Sequence, residues 1–196
     1  FPGFTGDGDF LLTPSDICGK YIVDPPPHDR NYFSSHIVAV DNYFRAISHD
    51  KFGLDLNLSS IFPLANESSY KLDKSMNYYN ELGMDDEHEY RITLLLKDAI
   101  DKAYQVDQID FNNFDLVAII HPGLGQDFKL PFLDPTPEDI PSTFIDKEMV
   151  VKHLNGPIVT GTASVEQGII LPESQNHPLM DSSIYDVLTE PCDLQY

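Results

Sequence analysis

The sequence predicts an α/β (α+β) fold: a twisted mixed sheet with two main helices, an extended N-terminal arm and a C-terminal tail. Three observations predict it. Apolar residues recur at spacings of three and four over residues 30–48 and again over 86–105, the stripe of an amphipathic helix. A short apolar run, Phe114 to Ile120, is bounded by turn residues, as in a central strand covered on both faces. Strand and helix alternate over the first part of the chain, a pattern that layers helices on a sheet.

Each element has its own reason. Residues 1–18 are rich in Gly, Pro and Asp and show no periodicity, so they read as an arm. A short strand, Tyr21 to Val23, is stopped by Pro25, Pro26 and Pro27. Asp29 has the chemistry of a helix N-cap. Phe33, Ile37, Val40, Phe44 and Ile47 then form the stripe of a helix over 30–48, with His36 on the apolar side as a core histidine. Phe52, Leu54, Leu56 and Leu58 alternate with Gly53, Asp55 and Asn57, which predicts a half-buried strand. Residues 75–83 read as an ordered loop.

The second helix, about 86–105, buries Ile92, Leu95, Leu96, Ala99, Ile100 and Ala103. Asp85, Asp86 and Glu87 sit at the positive end of its dipole. Asn112 and Asn113 turn the chain into the apolar strand, which ends at His121-Pro122-Gly123-Leu124-Gly125. Four prolines, from Pro131 to Pro141, make the next segment an extended loop. Phe144 to Leu154 and Ile158 to Leu171 read as strands, a hairpin turning at Asn155-Gly156. Residues 173–196 are a tail with a short helical turn near 184–188. The domain organisation is therefore an arm at 1–18, a sheet-and-helix domain at 19–172 and a tail at 173–196.

Composition narrows the function. The 196 residues carry 12 Lys and Arg against 32 Asp and Glu, a net charge of −20. Charged residues make up 22% and hydrophobic ones 41%, a globular balance. So negative a chain is expected to bind no nucleic acid and to avoid anionic membranes. The longest purely apolar run, Leu116 to Ile120, is far short of the roughly 20 residues of a membrane span. The chain opens at Phe1 without a basic segment or apolar signal core, as expected of a processed or trimmed product. Cys18 and Cys192 either pair and tie the ends together or remain separate thiols; spacing does not decide between the two.

The candidate sites are few. None of the seven histidines has a partner four residues on, the spacing by which one helix face grips zinc. His121 ends a strand beside a glycine-rich turn, where ligand sites of such sheets lie. His121 and Gly123 are therefore the candidate binding residues, against the simpler reading that His121 fixes the turn by local hydrogen bonds. HPGLG lacks the Gly-Lys-Ser/Thr ending of a phosphate loop, and no G-x-S-x-G elbow occurs. Calcium takes six to eight oxygens, typically from loops. Asp7 and Asp9 in the arm, and Asp134, Glu138 and Asp139 in the proline-rich loop, are the candidate calcium ligands, against a reading of simple solvation.

Four segments carry a resemblance. Pro26 to Phe33 gives Pro-Pro-His-Asp-Arg-Asn-Tyr-Phe; Tyr43-Phe44 is followed by Ser48; Met76-Asn77-Tyr78-Tyr79 precedes the second helix; and Phe114 to Ile120 runs into His121-Pro122-Gly123. In this order they resemble the early catalytic domain of secreted zinc metallopeptidases of the immune inhibitor A type, over about residues 20–125. The resemblance implies a metallopeptidase-like N-terminal subdomain, a secreted, extracellular location and a peptide or protein substrate. In that family a later His-Glu-x-x-His helix binds the zinc, and this chain has no such motif. Zinc is thus expected only with a separate catalytic segment, the remainder of the same protein, and the chain alone is expected to be inactive. The strand over 158–171 would offer an edge for an extended peptide. The competing expectation is a non-catalytic, self-assembling extracellular subunit, whose arm and tail reach neighbouring copies.

Overall fold

Asp29 starts the first helix as its chemistry requires: its carboxylate accepts the Tyr32 N–H at 2.9 Å. Helix α1 spans Arg30–Ser48 and ends at His49 in the left-handed region. A computed structural model describes residues 28–64, 69–80, 85–126 and 139–174. The arm at 1–18, the strand at 21–23, both cysteines and the helical turn near 184–188 lie outside the described residues. The helix matches its predicted span, but its stripe is not buried. Val40 and Ile47 are exposed, Phe33, Ile37 and Phe44 are half-buried, and Asp41 is the helix's one buried residue. His36 is exposed rather than in the core, its Nδ1 2.9 Å from the Tyr32 carbonyl.

Residues 52–58 form a turn, not a strand. Asp55 takes the Asn57 N–H on its side chain, and its carbonyl takes the N–H groups of Leu58 and Ser59. This local bonding by Asp competes with sheet pairing and here prevails. The segment is fastened to α1. Asp41 accepts Leu54 N–H at 2.7 Å and Arg45 Nε at 2.9 Å. The Arg45 hydrogen bond holds the Asp41 carboxyl below the ordinary aspartate value of 3.8; burial opposes this, and the Leu54 N–H supports it. A depressed carboxylate contributes its stability above the ordinary value and loses it as pH falls through the lower folded one. The Asp41 carboxyl, followed by NMR, should titrate below pH 3.8, with the Leu54 amide shift moving alongside it; a midpoint above 3.8 would contradict this bond.

Within the expected loop at 75–83, Met76–Tyr79 forms a single helical turn, α2. Tyr79 is buried against the long helix α3, Asp85–Asp107, and its hydroxyl reaches Asp98 Oδ2 at 2.8 Å. Helix α3 buries the predicted stripe of Ile92, Leu95, Leu96, Ala99, Ile100 and Ala103. A 3-10 turn at Phe111–Asn113 leads to strand β1, Ala118–Leu124.

Strand β2 covers only Thr143–Ile145. The expected strand to residue 154 is instead helix α4, Lys147–Leu154. Asp146 caps it, accepting Met149 N–H at 2.8 Å. Asn155, at φ 59°, closes it with a bond to the Val151 carbonyl, so Asn155-Gly156 ends a helix rather than turning a hairpin. Asp146→Ala should cost about 1 kcal/mol in urea denaturation, the worth of an N-cap; no change would show that the cap is idle. Lys152 ties α4 to α3 through Asp86 and Glu89 at 2.7 and 2.8 Å, exposed pairs of small individual worth.

The expected strand over 158–171 is three strands: β3 at Ile158–Thr160, β4 at Ala163–Val165 and β5 at Gly168–Ser174. Gly161, at φ 58°, supplies the tight turn between β3 and β4, which form an antiparallel hairpin. The main sheet is mixed, in the order β1-β5-β2, with β1 parallel and β2 antiparallel to β5. The fold is thus α/β. Two expectations change with this order. Among the described residues β1 lies at an edge of the three-stranded sheet, not at its centre, and β5 is central, so residues 168–171 offer no free edge.

The two faces of the sheet differ sharply. Ile145 and Ile170 are fully buried and join the α3 residues Leu96 and Ile100 in one core. A Cβ on Gly168 would sit 2.6 Å from Leu96 Cδ1, which shows how closely α3 lies on β5. On the opposite face Ile120, Leu171 and Phe144 are 38%, 38% and 54% exposed. Among the described residues no helix is long and apolar enough to cross a membrane.

Candidate functional site

The predicted binding residues His121 and Gly123 meet at one buried junction, where the parallel strands β1 and β5 end. The pairing of β1 with β5 is regular through His121 and Pro172, then shifts register before Leu124. Gly123 makes that irregularity possible with φ at 89°, a conformation other residues rarely adopt. Its N–H, turned out of the ladder, donates to Glu173 Oε2 at 2.9 Å.

Glu173 is the centre of the junction. Its other oxygen, Oε1, lies 2.6 Å from His28 Nδ1, and both side chains are almost fully buried. The His28 ring stacks on Tyr32 at 4.2 Å, and the Tyr32 hydroxyl donates to the Glu173 carbonyl at 3.3 Å. One carboxylate therefore joins the start of α1, the end of β1 and the end of β5. A buried carboxylate bonded on both oxygens is tightly fixed.

His121 is buried beside this group. Its Nδ1 is 3.0 Å from the Pro122 carbonyl and its Nε2 is 3.0 Å from the Ile140 carbonyl. A carbonyl only accepts and a neutral imidazole carries one N–H, so the neutral ring donates to one of these two carbonyls, whichever faces its protonated nitrogen. This geometry fits the simpler of the two expectations for His121, a side chain that fixes its turn and holds residue 140 against β1. Gly123 likewise spends its N–H on Glu173.

Of the candidate calcium ligands, Asp139 alone falls among the described residues. Asp7, Asp9, Asp134 and Glu138 lie outside the described residues. Asp139 is half-buried, and its backbone carbonyl accepts the Asn80 side-chain amide. Among the described residues no three His, Cys, Asp or Glu converge as a metal site would require. An open depression lined by Arg45, Asp50, Lys51 and Asp55 lies at the far end of α1, and its charges are those of the helix-to-turn fastening.

Sequence reasoning missed His28 and Glu173 as a pair. They stand 145 residues apart, and neither has a neighbourhood that signals the other. The one local hint is that His28 directly precedes a capping aspartate. No family model matches the sequence, and no curated protein or solved structure matches it either.

Proposed function

We propose that this chain is the N-terminal portion of a secreted zinc metallopeptidase-like domain, forming its sheet and one wall of its cleft. The observation that supports the reading is the apolar face of the sheet that the described residues leave partly exposed. Ile120, Leu171 and Phe144 are 38%, 38% and 54% exposed, while Ile145 and Ile170 on the opposite face are fully buried. An apolar sheet face that the described residues leave partly open has room for a further layer. The reading assigns that layer to the remainder of the domain, including its zinc-binding helix. The four segments that resemble the immune inhibitor A type support it, as does the mixed α/β architecture they lie in.

The described residues themselves do not fit zinc. A catalytic zinc takes three protein ligands and keeps one position open for water. Here His28 Nδ1 is engaged by Glu173, and both His121 nitrogens face backbone carbonyls. The reading therefore assigns no metal ligand and no chemical step to this chain; its part is to shape and support the cleft.

The same open face also favours a second reading, a self-assembling extracellular subunit whose apolar sheet surfaces meet between copies. Elemental analysis and light scattering on the purified native protein separate the two. The first reading predicts stoichiometric zinc in a peptidase-active monomer. A zinc-free oligomer would overturn it and favour the second.

A further inference from the structure

We propose that α1 and its return segment, residues 30–60, form a lid clipped over the ends of β1 and β5, with Glu173 as the residue that holds it shut. The proposal rests on contacts within the described residues and is independent of the peptidase reading.

No residue of α1 belongs to the core cluster or packs against it as a partly buried member. Its single buried residue, Asp41, bonds to Arg45 of the same helix and to Leu54 of the return segment. The helix and the turn after it are thus fastened to each other. Among the described residues, their hydrogen bonds to the body of the molecule gather at one end. His28 Nδ1 meets Glu173 Oε1, the Tyr32 hydroxyl reaches the Glu173 carbonyl, and Arg30 donates to the carbonyls of Ile61 and Pro63. Residues 61–64 belong to the body: Phe62 stacks edge-on against Phe114, and Leu64 N–H bonds to Asp107. Both attachments of the unit, at 28 and near 61, therefore lie at the same end. That is how a lever is mounted.

The clip is polar and buried. A charge-assisted bond out of water is strong while both partners are present, and removing one leaves the other stranded. Opening the lid returns both groups to water and bares the Gly123 and Glu173 junction at the carboxyl ends of the parallel strands. A unit held by few apolar contacts opens below the global unfolding free energy.

Native-state hydrogen exchange on the whole chain, resolved by mass spectrometry, tests this. In the wild type, amides of 30–48 should exchange faster, and with a weaker denaturant dependence, than those of 92–103 in α3. Glu173→Gln should speed exchange of 30–48 by about tenfold or more and leave 92–103 within about twofold, as expected where sites do not share a cooperative unit. His28→Gln should reproduce that pattern. Equal protection of α1 and α3 in the wild type would overturn the proposal without any variant, and so would variants that shift both helices together. Should either variant fail to fold, the wild-type comparison decides.

Discussion

Ile170→Ala is expected to lower the unfolding free energy by about 2–5 kcal/mol, the cost of truncating a fully buried aliphatic side chain. Leu171→Ala, one residue along the same strand, should cost less, because that residue is already 38% exposed. The contrast follows from the pleat. Ile170 points into the core beneath α3, and Leu171 points to the open face. Urea denaturation of the two variants reads the difference directly. Equal losses would mean that the second face is covered, and the case for a missing layer would go with it.

His121→Ala should cost about 1–3 kcal/mol, the penalty for leaving a buried acceptor without its donor. With the proton on Nε2, the acceptor at stake is the Ile140 carbonyl, 3.0 Å away. Gln126 N–H also approaches that carbonyl, but at 3.4 Å, a longer and weaker bond. His121→Gln keeps one donor and should recover part of the loss. A variant that unfolds at the wild-type urea concentration would show that His121 carries no structural duty, and would reopen the case for a ligand-binding side chain.

The helices were the most legible part of the sequence. Asp29 announced α1, and an apolar stripe over several turns announced α3, because helical periodicity accumulates over many residues. Short strands accumulate little. Phe52 to Leu58 alternates as a strand would, yet Asp55 and Asn57 bond locally and fold it into a turn. Helix α4 was missed although its signals were present: Asp146 before it, Glu148 in its first turn, Lys152 and His153 in its last, and Asn155 after it. Its apolar residues, Met149, Val150, Val151 and Leu154, are too few over eight positions to separate a helix from a strand.

The site was half legible. His121 and Gly123 were placed correctly at a strand end, since a His-Pro-Gly sequence interrupts any apolar run. Their partners were not legible. Glu173 and His28 come from distant parts of the chain, and the parallel pairing of β1 with β5 is what sets Glu173 beside Gly123. The order of the sheet was equally hidden, because a central strand and an edge strand of this length read alike. Nothing in the periodicity of α1 foretold that its stripe would remain largely exposed; that depends on what the rest of the fold supplies to cover it.

The intact mass of the native protein tests the central claim most directly. The account predicts a single polypeptide substantially heavier than the 22.1 kDa of this chain, with the additional residues supplying the layer over Ile120, Leu171 and Phe144. A native polypeptide of 22.1 kDa, folded and monomeric with that face in water, would contradict it.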